Sequence, residues 1–156
     1  MKRLAVLLSL TLLLGCNASQ QSLRRNAEAL FRHIPDTEDL EKCRDYLTED
    51  FYESIDEMVS LPDPTPVLHE WEFWFVAADG SPVADCDFEV VDVARTDKAH
   101  AEATVVVRPP DADYDAEEHT LKMEKIDGKW LLADFDETKQ ASSRYIKTAS
   151  EYQGLI

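Results

Sequence analysis

The spacing of apolar positions changes twice along this 156-residue chain, and each change marks a different kind of element. Leu4 to Leu14 is an apolar run interrupted only by Ser9 and Thr11, behind the basic start Met1-Lys2-Arg3. The run is too short to cross a hydrocarbon core about 30 Å thick, which takes roughly 20 helical residues. A basic start, a short apolar middle and a small residue at the end make it a signal peptide. After Cys16 the stretch Asn17-Ala18-Ser19-Gln20-Gln21-Ser22 has no apolar periodicity and reads as a tether. From Leu23 the period becomes helical: Leu23, Ala27, Leu30, Phe31 and Ile34 share one stripe, and Pro35 ends it. Asp36-Thr37-Glu38-Asp39 then reads as a cap with acidic first-turn residues, followed by a short second stripe of Leu40, Cys43 and Leu47. Thr48 starts a third helix with Phe51, Ile55, Met58 and Val59 facing inward. Leu61-Pro62-Asp63-Pro64-Thr65-Pro66 stops it, because prolines permit neither helix nor ladder.

From Trp71 the period is two. Trp71 to Val76 predicts a strand followed by a turn at Asp79-Gly80, and Asp127-Gly128 joins two further strand-like runs, Leu121 to Ile126 and Lys129 to Phe135. An Asp-Gly pair between such runs is a strong short-range hairpin signal. Cys86 to Arg95 and His100 to Arg108 predict two longer strands around Thr96-Asp97-Lys98-Ala99. In the first of them the alternation of Cys86, Phe88 and Val90 slips at Val91 and Val93, which predicts a bulge or a strong bend. Ala141, Tyr145, Ala149 and Tyr152 mark a C-terminal helix. The expected fold class is α+β: N-terminal helices packed on a curved antiparallel sheet of four or five strands, with a C-terminal helix. The chain thus divides into a signal peptide at 1–15, Cys16 with its tether at 16–22, and a single domain at 23–156, a length one core can serve.

Composition narrows the chemistry. Asp and Glu number 32 against 16 Lys and Arg, and loss of Lys2 and Arg3 with the signal peptide leaves 14 cations and a charge of −18. That balance excludes a nucleic-acid partner, whose phosphates require a basic surface. It also argues against adhesion to an anionic membrane through a polybasic patch. The four glycines, Gly15, Gly80, Gly128 and Gly154, cannot build a phosphate cradle or a dinucleotide fingerprint, and no cofactor is expected.

Leu13-Leu14-Gly15-Cys16 resembles the lipobox of bacterial lipoproteins. The resemblance implies cleavage between Gly15 and Cys16, diacylglycerol on the Cys16 thiol and a fatty acid such as palmitate on the new amino terminus. Several acyl chains make a durable anchor where one holds only marginally. By the same resemblance Asn17, which is not Asp, implies the periplasmic face of the outer membrane. The domain in turn resembles the cone-shaped nuclear-transport-factor-2-like superfamily in its order of helix, helix and curved meander. It is similar, more narrowly, to small bacterial lipoproteins grouped as domain of unknown function 3828. The residues that carry this are Leu47-Thr48-Glu49-Asp50-Phe51 and the closing strand Gly128-Lys129-Trp130-Leu131-Leu132-Ala133-Asp134-Phe135, within a span from Ala27 to Ile146. That superfamily hosts isomerases, dehydratases, binding modules and scaffolds, so the fold alone chooses no activity.

Four constellations remain. Cys43 and Cys86 either pair in an oxidising compartment, closing a loop worth roughly 4 kcal/mol in the chain-entropy model, or are buried as small apolar side chains. Asp111-Ala112-Asp113-Tyr114-Asp115-Ala116-Glu117-Glu118 alternates carboxylates, yet Ala116 and Lys122 stand where a calcium loop needs glycine and bidentate glutamate. A solvated acidic hairpin loop is expected there, and no metal site. His33, His69, His100 and His119 are scattered, with no second histidine or Cys-x-x-Cys to complete a zinc site. A hydratase-type dyad would take His69 or His100 as base with Asp134 setting its tautomer. Lastly, if Trp71, Phe73 and Phe75 face the helices, Trp74 faces away, and Trp74, Trp130 and Leu132 are candidates for contact with a ligand or protein. Three functions are compatible with this reading: a non-enzymatic module binding a small apolar ligand or another envelope protein, a hydratase- or isomerase-like enzyme, and an acidic inhibitor or immunity protein for a basic partner.

Overall fold

The computed structural model describes residues 19–33, 40–60, 81, 85–140 and 143. The signal peptide, Cys16, the proline segment, the Trp71–Val76 strand with Trp74, the Asp79-Gly80 turn, Ile34, His69 and most of the C-terminal helix lie outside the described residues, as do the side chains of Met58 and Val59.

The fold is α+β, with helices preceding a four-stranded antiparallel sheet and a short helix beginning after it. Helix α1 covers residues 19–32, so it takes in Ser19 to Ser22, which the polar pattern assigns to the tether. Polar residues with no buried face can extend a helix whose later turns are packed, because propagation adds one hydrogen bond per residue fixed. The predicted stripe is buried: Leu23, Ala27, Leu30 and Phe31 are at most 5% exposed.

The second helical element, Leu40–Tyr46, is a 3₁₀ helix rather than an α-helix. Leu40, Cys43 and Tyr46 recur at steps of three, which aligns them on a helix of three residues per turn. Leu40 and Cys43 are buried there, and Tyr46 packs against the core. Leu47 is therefore released from the helix and forms a parallel bridge with Leu132. Thr48 follows as the cap of α2 (Glu49–Val59). Its backbone N–H donates to the Leu132 carbonyl at 2.9 Å, and its hydroxyl accepts from the Phe51 N–H at 3.3 Å. Phe51 and Ile55 are fully buried, while Glu49, Asp50, Glu53, Asp56 and Glu57 all face solvent.

Strands β1 (Asp87–Arg95), β2 (His100–Arg108), β3 (Glu117–Ile126) and β4 (Lys129–Phe135) follow in simple meander order. The alternation in β2 is regular, with Ala101, Ala103, Val105 and Val107 buried and their neighbours outward. In β1 the register shifts between Val90 and Asp92, leaving Val91 as the extra residue, 40% exposed. A bulge disrupts the local ladder, and here Arg24 of α1 compensates. Its Nη1 donates to the Val90 carbonyl at 2.7 Å and its Nη2 to the Val91 carbonyl at 3.2 Å. The β3–β4 turn places Asp127 at φ 51° and Gly128 at φ 86°, the left-handed pair that matches the twist of a two-residue hairpin.

The core lies between the helices and the inner sheet face. Phe31 joins the two, its ring centroid 4.7 Å from Phe88 and 6.4 Å from Phe135, and each such buried ring contributes roughly 1.5–3 kcal/mol. Cys43 and Cys86 both belong to this core, 1% and 8% exposed, a burial that either a bridge or two small apolar side chains would have.

Candidate functional site

Sheet geometry brings ionisable side chains together at the end of β3 and β4 where the chain turns toward the C-terminal helix. Phe135 closes β4, and Asp136 and Glu137 then adopt left-handed conformations, φ 47° and 61°. This sharp turn folds Asp136 back onto β3. The Asp136 N–H donates to the Thr120 carbonyl at 3.0 Å, and its Oδ1 accepts from the Thr120 N–H at 2.6 Å. The other carboxylate oxygen is then 2.6 Å from His119 Nδ1. The imidazole stacks on Phe135 with centroids 5.2 Å apart, and its Nε2 lies 3.6 Å from a Glu117 carboxylate oxygen. Nε2 is buried and makes no hydrogen bond among the described residues. The arrangement is an imidazole between two carboxylates, oriented at Nδ1 as a catalytic histidine would be, but with the nitrogen that would meet a substrate shielded.

The predicted histidine–Asp134 dyad does not form with His100. Asp134 Oδ1 accepts from the backbone N–H groups of Phe135 and Lys139 at 3.0 and 3.1 Å, and its Oδ2 is 3.5 Å from Lys122 Nζ. Asp134 is therefore a buried positioning carboxylate for the turn into the C-terminal helix. Thr138, buried beside it, donates its hydroxyl to the Phe135 carbonyl. His100 instead pairs with Asp97 across the β1–β2 turn, Nδ1 to Oδ2 at 2.8 Å. Asp97 also accepts from the backbone of Ala99 at 2.7 Å and of His100 at 2.8 Å. The Ala99 and His100 contacts hold the Asp97 carboxyl below its ordinary value, and the Asp97 hydrogen bond lifts the His100 imidazole above its own.

Open polar depressions are present on the described surface. One, of about 470 Å³, is lined by Glu102, Thr120, Lys122, Asp136 and Glu137. Another, about 460 Å³, is lined by Gln20, Gln21, Arg24, Asp92 and Val93. Trp130 and Leu132, candidates with Trp74 for ligand contact, are core residues, 7% and 1% exposed. Alternation along β4 turns Trp130 and Leu132 to the buried face, and the Leu132 backbone bridges to Leu47. Neither is available to a ligand on the outer face.

The expected acidic loop at Asp111–Glu118 is shorter than its sequence suggests: Asp111–Ala116 is exposed between β2 and β3, with the Tyr114 N–H donating to the Asp111 carbonyl at 3.2 Å and the Asp113 N–H to the Asp111 carboxylate at 3.0 Å, while Glu117 and Glu118 open β3 opposite Val107 and Val106. Among the described residues no group of three or more His, Cys, Asp or Glu side chains could hold a metal ion. No described helix is long and apolar enough to cross a membrane. No protein-family model, curated protein or solved structure matches the chain.

Proposed function

We propose that this chain is a lipid-anchored protein of the bacterial envelope, held through Cys16 at the periplasmic face of the outer membrane, and that its domain is a non-enzymatic module binding a basic protein partner. The observation that carries the binding reading is the distribution of acid at one end of the sheet. Asp87, Glu89, Asp111, Asp113, Asp115, Glu118, Asp136 and Glu137 are exposed there, around a loop with Arg108 as the nearest exposed cation in the sequence. Arg108 is itself engaged by Glu89 at 3.3 Å. Complementary charge of that kind accelerates encounter and selects partners more than it adds raw affinity.

The hydratase- or isomerase-like alternative would need a base within reach of substrate. The best-placed histidine, His119, has its Nε2 buried against Phe135 and Glu117, which favours a structural role. A small apolar ligand is disfavoured because Trp130 and Leu132 already fill the described core.

Two measurements test the two parts. Cells fed a radioactive fatty acid should label the protein, and Cys16→Ser should abolish both the label and membrane fractionation; unchanged fractionation of the serine variant would refute the anchor. A photo-crosslinking residue at position 113 should capture one protein in intact cells. Neutralising Asp111 and Asp115 to Asn should reduce that capture severalfold, in a manner mimicked by raised salt. Capture indifferent to both would refute the acidic docking surface.

A further inference from the structure

With Cys16 given to the lipid, two of the three cysteines in the chain remain, Cys43 and Cys86. Each is carried on an inward face. Leu40, Cys43 and Tyr46 recur at steps of three in the 3₁₀ helix, which aligns them on one side of it. Cys86 immediately precedes β1 and is buried, and Phe88, two residues on, packs against the same core.

The aromatic neighbours show where these two faces lie. The Tyr46 ring stacks on His33 with centroids 5.2 Å apart. The Phe88 ring meets Phe31 at 4.7 Å and carries the Arg32 guanidinium 5.2 Å from its centroid. Phe31, Arg32 and His33 are consecutive residues where α1 ends. The face bearing Cys43 and the face bearing Cys86 therefore converge on one end of one helix, and both side chains are buried in the core there, 1% and 8% exposed.

From this convergence we propose that Cys43 and Cys86 form a disulfide in the exported protein, joining the 3₁₀ helix to the start of β1. Its formation breaks two S–H bonds and makes one S–S bond. The two electrons and two protons pass, through a mixed disulfide, to a protein disulfide of the oxidising compartment, which leaves as a dithiol. Exchange needs an accessible thiolate, so it precedes closure of the core over Cys43, and the finished bridge is shielded from reductant. The bridge closes a loop of about 44 residues that contains α2 and so removes freedom from the unfolded chain. A strongly acidic chain repels itself when compact, and a covalent tie offsets that repulsion without enlarging the core.

The bridge rests on the envelope reading, because a reducing compartment would keep both thiols, and one experiment separates it from the lipid anchor. The full chain is purified in detergent from acid-quenched cells, unfolded in urea and treated with N-ethylmaleimide either before or after reduction, and intact masses are compared. No adduct before reduction and two after it are expected, with Cys16 acylated. Two adducts before reduction overturn the bridge and leave the anchor. One before and three after overturn the acylation of Cys16 and leave the bridge, and three before reduction overturn both. The count is made on the unaltered chain, so it does not depend on how any variant folds. Urea unfolding supplies a second readout: reductant should lower the midpoint by about 2 M, from the entropy of a loop of that length at the m-value of a small domain. Coincident midpoints with and without reductant would overturn the bridge as a tie that stabilises the fold.

Discussion

Replacing Arg24 by methionine tests whether one side chain offsets the disruption of the β1 bulge. Methionine keeps the apolar stem that crosses the helix surface and removes only the guanidinium. With it go the 2.7 Å hydrogen bond to the half-buried Val90 carbonyl and the 3.2 Å bond to the Val91 carbonyl, which is more exposed. Hydrogen bonds from a charged donor contribute about 1.5–3 kcal/mol when shielded and less when solvated. The Val91 bond adds little because water can replace it. A loss of about 2 kcal/mol is therefore expected, which at a urea m-value of roughly 1.5 kcal/mol/M moves the unfolding midpoint down by about 1.3 M. Arg25→Met is the control: Arg25, the next residue of the same helix, is exposed, and its replacement should stay within about 0.5 kcal/mol of the parent. The measurement is urea unfolding followed by circular dichroism, with amide hydrogen exchange around residues 90–93 as the local readout. Equal midpoints for the two variants, with no faster exchange at the bulge, would refute the reasoning.

Four further outcomes are expected. Leu132→Ala should destabilise the fold by about 3 kcal/mol, because it empties a site 1% exposed; a shift under about 1 kcal/mol in urea unfolding would place that side chain outside the core. Gly128→Ala should cost about 1 kcal/mol through the φ of 86° alone, since an added Cβ meets nothing within 4 Å, and Gly128→Asn should cost less; equal costs would deny the left-handed turn. His100 should titrate by NMR above its ordinary value, and Asp97→Asn should bring it down. Its contribution to stability is complete below the unfolded-state value and is lost as pH rises through the raised folded one, so a variant titration unchanged from the parent would remove Asp97 as the cause. Tyr52, whose hydroxyl donates to Glu41 at 2.6 Å, should ionise near about 12 in a phenolate absorbance titration, with Glu41→Gln lowering it. The neutral phenol is the favoured form in the fold, so this contribution holds below about 10 and disappears as pH climbs toward about 12.

The His119–Asp136 pair shows where legibility stops. Counting outward from the Asp127-Gly128 turn, an unbroken hairpin puts His119 opposite Asp136, so the pairing has a signal in the sequence. What local pattern does not carry is the register shift between Lys122 and Met123, which moves Thr120 opposite Asp136 and lets one carboxylate hold both Thr120 and His119. Asp134, two residues away and equally acidic, suits a dyad as well as Asp136 does until that shift is in place. The 3₁₀ helix is a similar case: steps of three and four among Leu40, Cys43 and Leu47 suit an α-turn as well, and the bridge from Leu47 to Leu132 decides the matter.

The sequence by itself determined the elements that depend on local periodicity and turn chemistry: the α1 stripe, the Thr48 cap, the four described strands, the bulge after Val90 and the Asp-Gly turn. These follow from the side-chain period and from backbone preferences within a few residues. Tertiary structure alone decided which face of β4 was inside, sending Trp130 and Leu132 to the core, and which carboxylate met which histidine. It also sorted charge that composition reports only as a sum. An antiparallel meander returns the chain to the same two ends again and again, so residues far apart in sequence, such as Arg95 and Lys125, become neighbours over Trp130, and exposed acids from Asp87 to Glu137 collect at one end.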